Sequence, residues 1–126
     1  MTQSRMVLSA TVLGTPDPAG LARFYAALLG WRIVEESPGW AVIRPPSGGT
    51  GLSFQREPEF EPPVWPRRPG RVQLAAHLDI AVDDLAAAVS LAVELGATVA
   101  DHQPQPDVKV MFDPTGHVFD LFPSAG

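Results

Sequence analysis

Residues 77–97 read HLDIAVDDLAAAVSLAVELGA and contain three structural signals in succession. Apolar residues alternate over Leu78–Val82, which predicts a half-buried strand. An acidic pair follows and can cap the helical pattern of Leu85–Leu95. Gly96 then supplies the left-handed residue at which helices commonly end. The stretch therefore predicts a strand, a short amphipathic helix and a return into a further strand.

The same order of signals occurs once more, in residues 10–31, which read ATVLGTPDPAGLARFYAALLGW. Ala10 and His77, which open the two stretches, are 67 residues apart. Gly30 and Gly96, which end the two helical patterns, are 66 residues apart. A repeated order at a nearly constant offset indicates a duplicated structural unit.

The rest of the chain alternates between strand patterns and turns rich in proline and glycine. Each half then reads as a strand, a helix and three strands, which predicts an α+β fold with mixed sheets. We expect one domain over residues 1–126, with a half-module at 1–57, a proline-rich linker at 58–70 and a second half-module at 71–126. The predicted strands are Val7–Leu13, Arg32–Glu36, Trp40–Arg44, Gly51–Arg56, Leu74–Val82, Thr98–Asp101, Val108–Asp113 and Val118–Phe122.

Composition excludes several classes of function. The net charge of −5 argues against a nucleic-acid-binding protein, which normally has a basic face. No apolar run approaches the ~20 residues of a membrane span, and no signal-peptide pattern is evident near the N-terminus. The absence of cysteine excludes disulfides and thiolate chemistry. We therefore expect a cytoplasmic protein that acts on neither membranes nor nucleic acids.

Strand periodicity predicts which side chains line a cavity, because alternate residues face opposite sides of a sheet. Apolar residues such as Leu78 and Ile80 should pack on the helix and send their neighbours to the other face. Trp65, in the linker, either covers this pocket or packs on the surface. The strand residues predicted to face the pocket are Ala10, Val12, Gln55, His77, Asp79, Asp120 and Phe122.

Several motifs together resemble one known family. They are the Pro16–Trp31 opening, Leu52–Pro58, His77–Ile80 and the Asp113–His117 turn before Phe119-Asp120-Leu121. In order and spacing they are similar to glyoxalase/bleomycin-resistance/dioxygenase proteins of the vicinal oxygen chelate superfamily, and to its glyoxalase-like branch above all. The resemblance implies two βαβββ modules with curved mixed sheets around a central pocket. It also implies a small-molecule ligand and a homodimer.

Metal-dependent members of this superfamily place ligands on the first and last strand of each half. Carried over by position, these points fall at Ala10, near Gln55, at His77 and at Asp120. Alanine has no donor atom, and Gln55 offers only a neutral oxygen, so the metal site is expected to be incomplete. One histidine with one carboxylate also falls short of the two histidines and one carboxylate of oxygen-activating iron sites. The resemblance thus implies either no cofactor or a divalent metal ion held by His77, Asp120 and Gln55, and it argues against a dioxygenase.

Two functions remain open from the sequence, and whether the chain is an enzyme stays undecided. One is a small-molecule-binding protein that sequesters or carries an apolar ligand. The other is a glyoxalase-type lyase or isomerase, in which His77 takes a proton and Asp120, with or without a metal, stabilises the developing charge. His77 could equally be a pocket histidine held by Asp79. A third, weaker hypothesis is an interaction domain without a small ligand.

Overall fold

The computed structural model describes residues 4–124, which fall into two units divided between Pro58 and Glu59. Each unit contains one helix and one four-stranded mixed sheet. The order of elements is strand, helix and three strands in both units. The predicted α+β class with two βαβββ modules is therefore confirmed.

The first unit consists of five elements. They are β1 (Ala10–Thr15), α1 (Pro18–Leu29), β2 (Arg32–Ser37), β3 (Trp40–Arg44) and β4 (Gly51–Arg56). The sheet order is β1-β4-β3-β2. β1 runs parallel to β4, while β3 is antiparallel to both of its neighbours. The parallel pair is possible because α1 and two strands separate β1 from β4 in the chain.

Helix α1 begins and ends where its capping residues predict. The Asp17 carboxylate accepts a hydrogen bond from the Gly20 N–H at 3.1 Å, and Gly30 adopts a left-handed φ of 71° after the last turn. The apolar face of the helix packs on the sheet. Its Tyr25 ring, which is fully buried, stacks on Phe54 of β4 with 6.0 Å between ring centroids.

The second unit repeats the arrangement. Its elements are β5 (Leu78–Val82), α2 (Leu85–Leu95), β6 (Thr98–Val99), β7 (Lys109–Phe112) and β8 (Val118–Pro123). The sheet order β5-β8-β7-β6 matches that of the first unit, with β5 parallel to β8. Of the two predicted caps for α2, Asp84 accepts the hydrogen bond from the Ala87 N–H at 3.1 Å. Fully buried side chains in this unit include Met111, Phe119 and Leu121.

The segment predicted as a linker packs on the second unit. The Phe60 ring lies against His117, with 4.5 Å between ring centroids. Further along, the indole Nε1–H of Trp65 donates to the backbone oxygen of His102 at 3.0 Å. Residues 58–70 form no helix or strand, and these side-chain contacts hold the segment together with a backbone hydrogen bond from the Val64 N–H to the Val72 oxygen at 2.9 Å.

The structure corrects the bounds of six predicted strands, of which β2 and β8 each extend one residue further than predicted, to Ser37 and Pro123. β1 begins at Ala10 rather than Val7, because the ladder with β4 starts with the pair Ala10 and Gly51. β5 begins at Leu78 rather than Leu74, since its first partner is Phe119. The other two are shorter than predicted, at Thr98–Val99 and Lys109–Phe112. Before β1 and β5 the extended segment lacks ladder partners, whereas beyond β6 one backbone hydrogen bond continues, from the Ala100 N–H to the Val110 oxygen at 3.0 Å.

Neither helix in the described part of the chain could cross a membrane. Helix α1 has 12 residues and α2 has 11. A span of the hydrocarbon core needs ~20 apolar residues.

Candidate functional site

The polar residues of the second unit come together because β5 and β8 are adjacent parallel strands. Asp79 and Asp120 are register partners, so their side chains emerge on the same face of the sheet. Phe119 and Leu121, both 0% exposed, take the opposite face. His77 lies just before β5 and two residues from Asp79, which places it on the side of the carboxylates. This is the strand phase that the sequence predicts.

His77, Asp79 and Asp120 form one contact group, here named the His77 cluster. The Nε2 atom of His77 lies 3.0 Å from Oδ1 of Asp79 and 3.3 Å from Oδ2 of Asp120. The three side chains are 38%, 60% and 17% exposed, respectively. One ring nitrogen carries at most one hydrogen, so two carboxylates share a single donor. The cluster therefore has more hydrogen-bond acceptors than donors.

Asp120 is the most constrained member of the cluster. Burial raises the pKa of its carboxyl group, and the nearby Asp79 carboxylate raises it further, while His77 opposes both effects. Its second oxygen, Oδ1, is buried and has no hydrogen-bond partner among the described residues. A buried acceptor without a donor costs about 1–3 kcal/mol. The protein therefore retains an unfavourable carboxylate at this position.

The His77 cluster borders a cavity of about 470 Å³ within the second unit. Ligand pockets of proteins are typically about 300–1,000 Å³, so this volume suits a small organic molecule. Most of the wall is apolar, and Gln105 is its further polar residue. The lining consists of Trp65, Leu74, His77, Asp79, Pro104, Gln105, Val108, Val110, Val118, Asp120 and Phe122.

One wall of the cavity is a loop held by a glutamine side chain. Gln103 donates from Nε2 to the backbone oxygens of Ala100 and Val110, at 2.8 and 2.9 Å. Its Oε1 accepts from the Val110 N–H at 2.9 Å. The three bonds fix the loop that presents Pro104 and Gln105 to the cavity. Because residues 101–108 have no strand partner, the side chain supplies hydrogen bonds that a ladder would otherwise provide.

The sequence-predicted site residues divide between the two units. Five of them line the cavity of the second unit: Trp65, His77, Asp79, Asp120 and Phe122. The other three lie in the first unit, Ala10 and Val12 on β1 and Gln55 on β4. Gln55 is exposed, and its Nε2 donates to Oε1 of Glu57 at 3.0 Å.

Of Ser53 and Gln55, which strand periodicity places on the same face of β4, the register identifies Ser53 as the counterpart of Asp120. Val12, which corresponds to Asp79 at the 67-residue offset, pairs with Ser53. Ser53 therefore occupies the position that Asp120 has in the second unit, while Gln55 pairs with Gly14. Ser53 is 3% exposed. The spacing contained the signal, because Ala10 and Ser53 are 43 residues apart, as are His77 and Asp120.

A family model for the glyoxalase-like domain matches residues 10–122. The chain belongs to this family. The match includes both modules, the His77 cluster and the loop that walls the cavity. No curated protein matches the chain well enough to be counted as a relative.

Solved structures share the fold of this glyoxalase-like domain. A glyoxalase/bleomycin resistance protein/dioxygenase family enzyme from Burkholderia phytofirmans PsJN has a TM-score of 0.68 at 20% identity, over 92% of this chain and 97% of its own. A glyoxalase/dioxygenase from Nostoc punctiforme has a TM-score of 0.68 at 22% identity, with both chains fully covered. A bleomycin resistance determinant encoded on transposon Tn5 has a TM-score of 0.58 at 20% identity, over 94% of this chain and 98% of its own. At such identities the likeness establishes the fold alone.

The donor atoms of the His77 cluster suit the divalent metal that the superfamily resemblance implies. One donor atom from each residue lies within 4.8 Å of the others. Ligand atoms about 2.1 Å from a shared ion are about 3.0–3.4 Å apart, which matches the 3.0 and 3.3 Å contacts of His77 Nε2. Asp79, which lies outside the four superfamily positions, is thus the third donor of this set.

Proposed function

We propose that this glyoxalase-like domain binds a small organic molecule in the cavity of the second unit, without the complete metal site of the superfamily. The observation that carries the proposal is one compact polar cluster on an otherwise apolar cavity wall. Pockets for small molecules combine apolar walls with a few convergent polar groups that fix orientation. The His77 cluster would hold the polar group of the ligand, and Val118 and Phe122 would contact its apolar body.

A fragment screen by nuclear magnetic resonance tests this proposal with a matched pair of variants. Val108→Phe adds a ring at a residue that lines the cavity. Val93→Phe makes the same change on α2, at a residue that is 48% exposed and outside the lining. We expect saturable binding to wild type and to Val93→Phe, and a loss of about tenfold or more in affinity for Val108→Phe. Equal affinity of all three proteins would place the bound fragments elsewhere and refute the proposal.

A divalent-metal-dependent lyase or isomerase of the glyoxalase type is the second candidate, favoured by the donor spacing of the His77 cluster. In this reaction His77 takes a proton from a carbon next to an oxygen-bearing group. With no ion on His77, its Nε2–H can point at the carboxylates and Nδ1 accepts the proton. With an ion on Nε2, the ring hydrogen stays on Nδ1, so His77 would hold the ion instead of taking the proton. Asp120 would help to stabilise the charge that develops on the substrate. A bound divalent ion would supply Lewis-acid stabilisation of that charge.

Elemental analysis separates the two candidates. The protein is purified without a metal-affinity tag and then incubated with nickel, zinc, manganese, cobalt or iron(II). The metalloenzyme predicts about one ion per chain, lost in His77→Ala and Asp120→Ala and retained in His102→Ala. His102 is a suitable control because it is a histidine of the same unit outside the cavity lining. Metal that stays bound in all three variants would refute the His77 cluster as its site.

We also propose a homodimer, on the basis of the family resemblance, and a cytoplasmic location, on the basis of the sequence. Light scattering coupled to size exclusion tests the first of them. A chain of 13.5 kDa predicts a dimer of 2 × 13.5 = 27 kDa. A mass of one chain at about 100 μM would contradict a stable dimer.

A further inference from the structure

We propose that the ligand of this cavity carries an organic cation, an ammonium or amidinium group, on a mainly apolar body. The inference rests on the proposed small-molecule binding and names the chemistry of the ligand. Two observations support it: the charge of the cavity wall, and an aromatic ring whose polar edge is already bonded.

The charged groups of the cavity wall favour a cation. Two carboxylates, Asp79 and Asp120, face at most one positive group, His77. The formal charge is therefore −2 + 1 = −1 when His77 is protonated and −2 when it is neutral. Among residues 4–124, which the structure describes, no lysine or arginine contributes to the lining. An anionic ligand would be repelled, and a cation would neutralise the excess.

Asp79 is the carboxylate of the cluster that a ligand can reach most easily, because its side chain is 60% exposed. Oδ1 of Asp120 is closed to solvent, while Oδ2 contacts His77 at 3.3 Å. An N–H group of a cation would therefore donate first to the Asp79 carboxylate. Charge-assisted hydrogen bonds are roughly twice as strong as those between neutral groups. An ammonium group also offers three donors, so it can contact Asp79 as well as Asp120.

Trp65 suits both the apolar body and the cation. Its Nε1–H is already bonded to the backbone oxygen of His102, so the ring presents carbon atoms to the cavity. Its neighbours in the packed apolar cluster of this unit include Leu74 and Val118, which also line the cavity. Aromatic faces attract cations within about 6 Å of the ring centre. A hydrated metal ion alone would occupy the carboxylates and leave this apolar surface without a partner.

Three test compounds that differ only in their terminal group make the proposal testable: phenylbutylamine, phenylbutanol and phenylbutyrate. Each is titrated into the ¹⁵N-labelled full chain near neutral pH with a metal chelator present. The signal is the indole N–H resonance of Trp65, assigned with Trp65→Phe. We expect the amine to bind about tenfold or more tightly than the alcohol or the acid.

Charge variants show whether the carboxylates cause the preference. Asp79→Asn and Asp120→Asn should each weaken amine binding about fivefold or more and leave alcohol binding within about twofold. Glu94→Gln removes one negative charge from the exposed surface of α2 and should change neither. If Glu94→Gln weakened amine binding as much as the two aspartate variants, the preference for the amine would come from long-range attraction to the negative chain. That result would overturn the proposal.

The remaining outcomes separate this proposal from the proposed function. Alcohol or acid binding as tight as that of the amine, with Trp65 shifted, would overturn the cation and leave small-molecule binding intact. The absence of any Trp65 shift at about 5 mM, which corresponds to negligible affinity, would also overturn it. The fragment screen with Val108→Phe would then decide independently whether the cavity binds other molecules.

Discussion

Replacing Asp120 by asparagine should stabilise the fold, although most substitutions at buried positions destabilise proteins. The Asp120 side chain is 17% exposed, and its Oδ1 atom is buried without a partner. Asparagine has nearly the same shape but carries no charge. It therefore avoids the desolvation of a carboxylate and the repulsion by Asp79, the two effects that raise the pKa of Asp120 along with a hydrogen bond to Asp79.

The size of the effect follows from two opposing terms. Asparagine leaves a neutral polar atom unpaired at the buried position, so the mutation relieves only the part of the penalty that comes from the charge, about 1–2 kcal/mol. Loss of the contact with His77, whose side chain is 38% exposed, gives back only about 0.2–1 kcal/mol. We therefore expect Asp120→Asn to raise the free energy of unfolding by about 1 kcal/mol at pH 8. For a chain of this length each kcal/mol corresponds to about 3–5 °C in melting temperature.

The stability that Asp120→Asn adds should increase as the pH rises. Because the pKa of Asp120 is raised on folding above its usual value of 3.8, the folded state holds this proton more tightly than the unfolded state. The cost of the carboxylate is absent below the unfolded pKa, grows as pH rises through the folded pKa, and is complete above it. Asp120→Asn should therefore match wild type well below pH 3.8 and exceed it at pH 8.

Asp113→Asn provides the matched control, because Asp113 is a buried aspartate of the same unit whose carboxylate is bonded. Its Oδ1 accepts from the backbone N–H groups of Thr115, Gly116 and His117 at 2.9, 2.9 and 3.0 Å. Removing its charge should cost about 1–3 kcal/mol. Urea unfolding followed by circular dichroism measures both variants. A loss of stability for Asp120→Asn at pH 8 would refute the reasoning.

Three further predictions concern the fold that positions the site, each measured by urea unfolding. Gly116→Ala should lower the free energy of unfolding by about 1–3 kcal/mol more than Gly70→Ala. Both glycines have positive φ, but only a Cβ at position 116 would meet Pro62, at 2.7 Å. Equal losses for the two variants would contradict this. Phe119→Ala, at a residue that is 0% exposed, should lower the free energy of unfolding by about 3–5 kcal/mol. A loss below about 1 kcal/mol would contradict the burial of this β8 side chain in the core. Asp84→Ala should cost about 1 kcal/mol by removing the α2 cap, and no change would show that the cap is dispensable.

The elements that the sequence predicted well are those specified by local chemistry. Helix α2 spans Leu85–Leu95, as expected from its acidic cap and glycine stop. β3 and β4 also match their predicted bounds, since turn residues flank them. The first strand was predicted too early, at Val7. Apolar residues before Ala10 favour an extended conformation, but a strand also needs a partner, and β4 offers none before Gly51.

Periodicity predicted the candidate site where it lies on or next to strands, while Trp65 in the linker was left with two alternatives. Period-two alternation placed His77, Asp79 and Asp120 on one face, because the opposite face had to carry apolar residues such as Leu121. Loop residues have no such periodicity, so Pro104 and its neighbours in the cavity wall could not be found from the sequence. Their position depends on the hydrogen bonds of Gln103, a contact across the loop that no local pattern encodes.

Intermolecular nuclear Overhauser effects from a bound fragment give the most direct test of small-molecule binding in the second unit. The fragment is one found in the screen, held in excess over the ¹³C,¹⁵N-labelled chain. Our account predicts contacts from its apolar body to side-chain protons of Trp65, Val118 and Phe122, which line the cavity. Contacts confined to residues outside this lining, such as the exposed Ile33 of β2, would contradict the account.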